Sequence, residues 1–110
     1  MNIWKGKPVN AVQENVMSRW RILEANGARY AVGWNETEHE GRVSSAIMSY
    51  QKDRRILVTS SGRGYRLLGE PGLDPDGAYV WNCIAAGSGI RAWQDVTTEY
   101  LPDLPGRADS

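Results

Sequence analysis

The dipeptide Asn26-Gly27 lies between two strand-prone runs, SRWRILEA and ARYAVGW. A two-residue type I′ turn needs positive φ at both central positions, and Asn-Gly meets that need at low steric cost. Residues 18–35 are therefore expected to form a β-hairpin, and the rest of the chain has to be built around it. In the return strand, Tyr30, Val32 and Trp34 share one face. Ala31 and Gly33 share the other, where small residues let another element approach closely.

Turn residues continue to punctuate the chain at short intervals. RVSSAIMSYQ (42–51) reads as a strand, Lys52-Asp53-Arg54 as a turn, and RILVTSS (55–61) as the returning strand. Ser61-Gly62-Arg63-Gly64 then turns the chain into a short strand, Tyr65 to Leu68. The connector GEPGLDPDG offers Asp74 or Asp76 as a helix cap. AYVWNCIAA (78–86) follows with helical spacing, its apolar stripe made by Val80, Trp81 and Ile84, and Gly87 and Gly89 end it. Ile90 to Trp93 reads as the start of a strand, and Val9 to Met17 as one or two helical turns. A chain of 110 residues is expected to form a single domain, 1–110, with 102–110 as a frayed tail. The expected fold is α+β: a twisted antiparallel sheet of about five strands, an SH3-like curl being one way to shape it, with one packed C-terminal helix. The expected core is Trp20, Ile22, Val32, Val43, Ile47, Ile56, Val58, Leu67, Val80, Trp81 and Ile84.

Charge is where composition matters. The net charge is zero, yet residues 42–69 carry Arg42, Lys52, Arg54, Arg55, Arg63 and Arg66 against Asp53 alone. Residues 70–110 reverse the balance, with Arg91 and Arg107 against seven acids. A neutral whole argues against a strong nonspecific DNA binder and against an acidic DNA mimic. The segregation still allows one basic and one acidic face. Five tryptophans with no phenylalanine suggest that Trp serves as the bulky core residue, with one or two left as surface anchors. The single cysteine, Cys83, rules out an intrachain disulfide and reads as a small buried hydrophobe. No apolar run reaches the length of a signal or membrane-spanning segment, so no membrane partner is expected and the expected location is cytoplasmic.

The stretch VTSSGRGYRLLG (58–69) poses a choice between a hairpin turn and a phosphate loop. A phosphate loop ends in Gly-Lys-Ser/Thr and opens a helix whose amides meet the phosphate. Here Gly62-Arg63-Gly64 opens a strand, so the turn is the better reading. The side chains around it remain candidates. Arg54, Arg55, Arg63 and Arg66, beside Tyr65, would suit a phosphate backbone or an acidic protein surface if the strands brought them together. Pairing with the chain's own acids is the alternative. Trp93 is the candidate apolar anchor.

Catalytic signals are weak. His39 is the lone histidine, in Glu36-Thr37-Glu38-His39-Glu40, and one histidine among loop glutamates falls short of a metal site. A solvated acidic loop, or one that meets a partner, fits better. The serines lack a nucleophile-elbow setting, and Asp74 and Asp76 sit in turn chemistry. The expectation is no enzyme, no catalytic residue, no metal and no cofactor.

The runs EGRVSSAI, VTSSGRGYRLLGEPG and AYVWNCIAAGSG, with DVT after them, resemble a group of small proteins from proteobacterial genomes, phages and integrated mobile elements. In that group a G-R-V-x-x-S strand precedes a T-x-S-G-x-x-Y-x-L hairpin and a Y-V-W helix. The resemblance covers roughly the last two-thirds of the chain and brings no established activity. It implies a mobile-element or phage accessory protein that binds and inhibits or modulates a host protein or nucleoprotein complex, most concretely an anti-CRISPR-type inhibitor. The residues expected to carry binding are Arg54, Arg55, Arg63, Tyr65, Arg66 and Trp93. Two alternatives stand beside it: a small nucleic-acid-binding module using the basic hairpins, and a homo-oligomer joined through spare tryptophans.

Overall fold

A computed structural model describes residues 13–101. The strands are β1 (Gln13–Ala25), β2 (Ala28–Asn35), β3 (Glu40–Val43), β4 (Ile47–Gln51), β5 (Ile56–Thr59) and β6 (Arg63–Leu67). Helix α1 (Pro75–Ser88), the short β7 (Gln94–Asp95) and a 3₁₀ turn (Thr97–Tyr100) follow. The expected hairpin forms with Asn26 and Gly27 at φ 53° and 81°. Val9 to Met17 is not helical where it is described: residues 13–17 begin β1, while residues 9–12 lie outside the described part, as does the 102–110 tail.

Among the described residues the fold is α+β with one helix, but its sheet is larger and less uniform than expected. Seven strands take part, six of them along the path β3-β2-β1-β6-β5-β4. The pairing of β1 with β6 is parallel, so the sheet is mixed. Strands β3 and β4 are the two ends of this path, yet only residues 44–46 join them. In a flat sheet they would stand roughly 24 Å apart, five spacings of about 4.8 Å. Four Cα–Cα steps reach about 15 Å at most. The sheet is therefore strongly curled, with its two ends drawn together.

The stretch 42–51 is two strands rather than one. The break falls at Ser44, whose amide still donates to the Ala31 carbonyl at 2.8 Å while its side chain takes the return bond. The Ala31 amide donates to Ser44 Oγ at 2.9 Å, and Ser44 Oγ donates to the Ser45 carbonyl at 2.8 Å. The chain thereby leaves β2 and crosses to β5.

Strand β1 organises both cores through one extra residue. Ser18 pairs with Trp34 and Arg21 with Val32, so Arg19 and Trp20 together oppose Gly33. Arg19 takes the left-handed conformation at φ 46°, which makes this a β-bulge. The bulge shifts the side-chain alternation. Met17, Trp20 and Ile22 all enter the core inside the curl, with Ala31, Leu57, Tyr65 and Leu67. Leu23 and Ala25 face the other way, into a second core with Val32, Trp81 and Ala85 of α1. Beyond Met17, β1 uses its second edge fully: Trp20 O accepts from Gly72 N at 3.1 Å, Ile22 O from Val96 N at 2.9 Å, and β7 pairs at Leu23 and Glu24.

Helix α1 starts three residues earlier than expected. Pro75 occupies its first turn and Asp74 caps it, accepting from Gly77 N at 2.7 Å. Gly89, at φ 72°, ends it. The helix lies backbone against backbone on the sheet. A Cβ on Gly77 would sit 2.7 Å from Gly33 O, and one on Gly41 would sit 2.4 Å from the Asp76 carbonyl carbon. This contact dictates which helical face is buried: Gly77, Trp81 and Ala85, one turn apart. Several expected positions shift as a result. Ile84 is exposed, Val80 and Val43 are half-buried, and Cys83 is exposed rather than buried. Ile47 is also half-buried, at the curl's end strand. Trp20, Ile22, Val32, Ile56, Val58, Leu67 and Trp81 are buried as expected. Ile90 to Trp93 is not a strand; the pairing begins at Gln94.

Helix propensity alone favours Ala over Gly by about 1 kcal/mol. Gly77→Ala is nonetheless expected to destabilise the fold by about 2 kcal/mol, because overpacking against rigid backbone outweighs propensity. Gly87→Ala, with no atom within 4 Å of its added Cβ, is expected to stabilise by about 0.5 kcal/mol. Urea unfolding of the two variants beside the unmodified protein checks the opposite signs.

Candidate functional site: an apolar cleft beside the helix

The structure divides the expected basic cluster, with Arg63 at one end of β5 and Arg54, Arg55 and Arg66 at the other. Successive hairpin tips of a meander lie at opposite ends of the strand between them. Arg54 and Arg55 precede β5 and Arg63 follows it, so β5 sets them about 13 Å or more apart. Arg66 pairs in register with Ile56 and so lies near the Arg54–Arg55 end. Its Nε donates to Glu14 Oε2 at 2.8 Å. Arg54 is exposed on the turn. Arg55, at φ 58°, turns inward: it donates to the Gly69 carbonyl at 2.7 Å and stacks over the Trp20 ring at 5.8 Å.

Tyr65 points into the core. It is 2% exposed, and its hydroxyl accepts from Arg42 Nη1 at 3.1 Å. The acidic loop closes over this end. Asn35 Oδ1 accepts from the amides of Thr37 and Glu38 at 2.8 and 2.9 Å, which sets the turn. Glu38 and Glu40 both pair with Arg42, and Arg63 Nη1 lies 3.8 Å from Glu38 Oε1. Burial opposes the charge on Arg42, but Glu40, Tyr65 and Glu38 outweigh it and hold the guanidinium firmly protonated. The basic hairpin thus answers the 36–40 loop. The C-terminal acids instead pair with N-terminal arginines: Arg19 with Asp74, Arg21 with Asp95, and Arg29 with Glu99.

Trp93 has a different setting. It is 43% exposed, and its ring stands at 84° to that of Trp81 with 5.4 Å between centroids. Together they border a cleft of about 390 Å³ between α1, β1–β2 and the segments that flank the helix. Leu23, Val32, Ala78 and Trp81 form its apolar wall, and Leu73, 67% exposed, stands on its rim. Arg21, Asp74, Asn82 and Asp95 supply its polar groups.

Each wall is held by the features that shape the fold. Asp74 is 4% exposed and does two things at once: it caps α1 and accepts from Arg19 Nε and Nη2 at 3.1 and 3.0 Å. Arg19 reaches it from the bulge, with its guanidinium 5.7 Å from the Trp34 ring centroid. On the far side Asp95 fixes the segment bearing Trp93. It accepts from the Thr97 amide at 2.9 Å and from Arg21 Nη1 at 2.9 Å. Partial burial pushes the Asp95 carboxyl up, but the Thr97 and Arg21 hydrogen bonds outweigh this and hold it below its ordinary value.

Of the expected binding residues, only Trp93 lines this cleft. The other walls come from separate parts of the chain, and their local sequence reads as core or turn. The surplus of tryptophan was the one signal pointing here. Among the described residues, no three His, Cys, Asp or Glu side chains gather as a metal site, and no helix is long and apolar enough to cross a membrane. No known protein family, curated protein or solved structure matches the chain.

A carboxyl held low in the folded state contributes stability above its unfolded pKa and loses it as pH falls through the folded value. Asp95 is expected to behave in this way below about pH 4. Asp95→Asn should therefore lose less stability on acidification than the unmodified protein. Urea midpoints measured from about pH 5 to about pH 2 check this.

Proposed function

We propose that this chain is a non-enzymatic binding domain that docks on a host protein complex through the cleft bordered by Trp81 and Trp93. The carrying observation is the exposed pair Trp93 and Leu73 at the mouth of an apolar cleft. Large apolar side chains at the rim of a concave site mark interaction surfaces, and tryptophan is enriched among the residues that dominate binding energy. The rim charges support the same reading. Arg21 pairs with Asp95 and Asp74 with Arg19, so an uncharged surface can cover them without stranding an ion.

The resemblance to phage and mobile-element proteins directs the proposal towards a host complex, and most concretely towards inhibition of a CRISPR surveillance complex. A phosphate-binding role needs Arg54, Arg55, Arg63 and Arg66 on one surface. Arg63 stands apart from the other three, and the pairing of Arg63 with Glu38 and of Arg66 with Glu14 favours the protein-docking reading over it.

The test is capture from nuclease-treated host lysate by immobilised protein. The unmodified protein and Arg63→Ala are expected to retain the same partner, and Trp93→Ala to weaken its retention at least about tenfold, the scale of an interface hot spot. Capture that disappears on nuclease treatment, or that falls with Arg63→Ala and not with Trp93→Ala, would transfer the role to nucleic acid.

A further inference from the structure

Helix α1 is apolar on two faces. On the inner face Gly77, Trp81 and Ala85 are buried, and the Trp81 indole N–H has no acceptor among the described residues. On the outer face Tyr79 is 68% exposed, and Cys83 and Ala86 are exposed with it. Val80, half-buried, and Ile84, exposed, flank them on one side. Asp76, Tyr79, Cys83 and Ala86 recur at steps of three and four, so they form one stripe along the helix. A surface helix normally turns a charged face to water. The outer face of α1 has one charge, Asp76 in its first turn, and past its far end the chain reaches Arg91.

Most charged groups on the described surface are matched within the chain, as Arg66 is with Glu14, Arg21 with Asp95 and Arg29 with Glu99. Asp76 and Arg91 are exposed, and neither has an ion-pair partner among the described residues. They have opposite signs and stand at opposite ends of the apolar stripe. Asp76 lies about 10 Å before Cys83, and the helix runs about 8 Å beyond Cys83 to its end, three residues short of Arg91. Such a surface becomes complementary to itself when one copy is turned end over end.

We propose that two copies of this chain pair through the outer faces of α1, antiparallel, about a two-fold axis at Cys83. Tyr79, Val80, Cys83 and Ala86 of each copy cover those of the other. Asp76 of each copy meets Arg91 of the other. The antiparallel order also sets the positive N-terminal end of each helix beside the negative C-terminal end of its neighbour. A parallel pair would bring like charges together at both ends, which is unfavourable. A foreign surface would have to supply both charges in reverse order, which a second copy does by symmetry. The contact is one helix wide and so belongs with small, reversible interfaces. This pairing and the docking role are independent of each other.

Sedimentation equilibrium of the pure protein from about 10 μM to about 1 mM is expected to show monomer giving way to dimer. Arg91→Asp and Asp76→Arg each place like charges at both contacts and are expected to weaken dimerisation at least about tenfold. Mixing the two variants puts opposite charges back at both contacts. A one-to-one heterodimer is expected to form, which also shows that both variants fold. Cys83, the single cysteine, reports the position of the axis. With copper–phenanthroline as catalyst, oxygen takes two electrons and two protons from a pair of thiols, leaving one S–S bond and hydrogen peroxide. Cross-linking is expected to run several times faster in the unmodified protein and in the mixture than in either variant alone.

Monomer throughout the range overturns the proposal. Dimer that neither charge reversal weakens, or that Trp93→Ala disrupts instead, overturns this face and assigns the contact to the cleft. Weakening that mixing does not reverse overturns the pairing of Asp76 with Arg91, and the antiparallel order with it. Dimer that does not cross-link at Cys83 overturns the axis.

Discussion

The extra residue in β1 is the constraint on which the rest of the structure depends. Without it, side chains two apart would share a face throughout the strand, and Met17 would fall in phase with Arg19 and Arg21. With Arg19 at φ 46°, the phase slips by one, and Trp20 and Ile22 join Met17 inside the curl. The same slip aims Leu23 and Ala25 at the helix. One strand thus builds two cores on opposite faces. An arginine in the left-handed region costs on the order of 1 kcal/mol. The displaced side chain offsets that cost by reaching Asp74, the residue that starts α1.

The bulge leaves no room for a side chain at the position opposite it. Gly33 opposes Arg19 and Trp20, and a side chain there would meet Ser18 O at 2.8 Å. Because Gly77 lacks a Cβ, its backbone can rest on the Gly33 carbonyl from the helix side. Three glycines on β2, β3 and α1 therefore define a contact that cannot slide. Capping by Asp74 and tethering by Arg19 set the helix's position at its N-terminus, and Trp81, one turn on, fills the space beyond the glycines. The cleft opens where that filling ends.

The parts of this arrangement that sequence reveals are those set by local backbone chemistry. Asn26-Gly27 announces a hairpin, and the Pro/Gly/Asp connector announces a helix start with Asp74 or Asp76 as its cap. Features set by long-range pairing are not legible in this way. Nothing in Ser-Arg-Trp-Arg signals that Arg19 will take positive φ, since that follows from what Trp20 and Gly33 must pack against. The break at Ser44 depends on a hydroxyl finding the Ala31 amide, which is decided by register. The arginines of residues 54–66 look contiguous in sequence, but β5 runs between the two tips and carries Arg63 away from Arg54, Arg55 and Arg66. Among candidate site residues only Trp93 could be picked out, because an apolar residue in a polar tail is visible locally. The walls it completes are supplied by residues whose own surroundings read as core.

Trp81 is the point where packing and binding meet. A phenylalanine would fill much of the same space without a donor to desolvate, and buried polar groups left unsatisfied are uncommon enough to call for a cause. Local consistency is broken in folded proteins mostly where a site needs it. The helix contributes only one charged residue, Asp76 in its first turn, so nothing nearby on α1 can take the indole proton as an ion. Arg21 and Asp95 are engaged with each other, and Asp74 is engaged with Arg19 and Gly77. Each polar neighbour that borders the cleft and carries charge is therefore already committed within the chain.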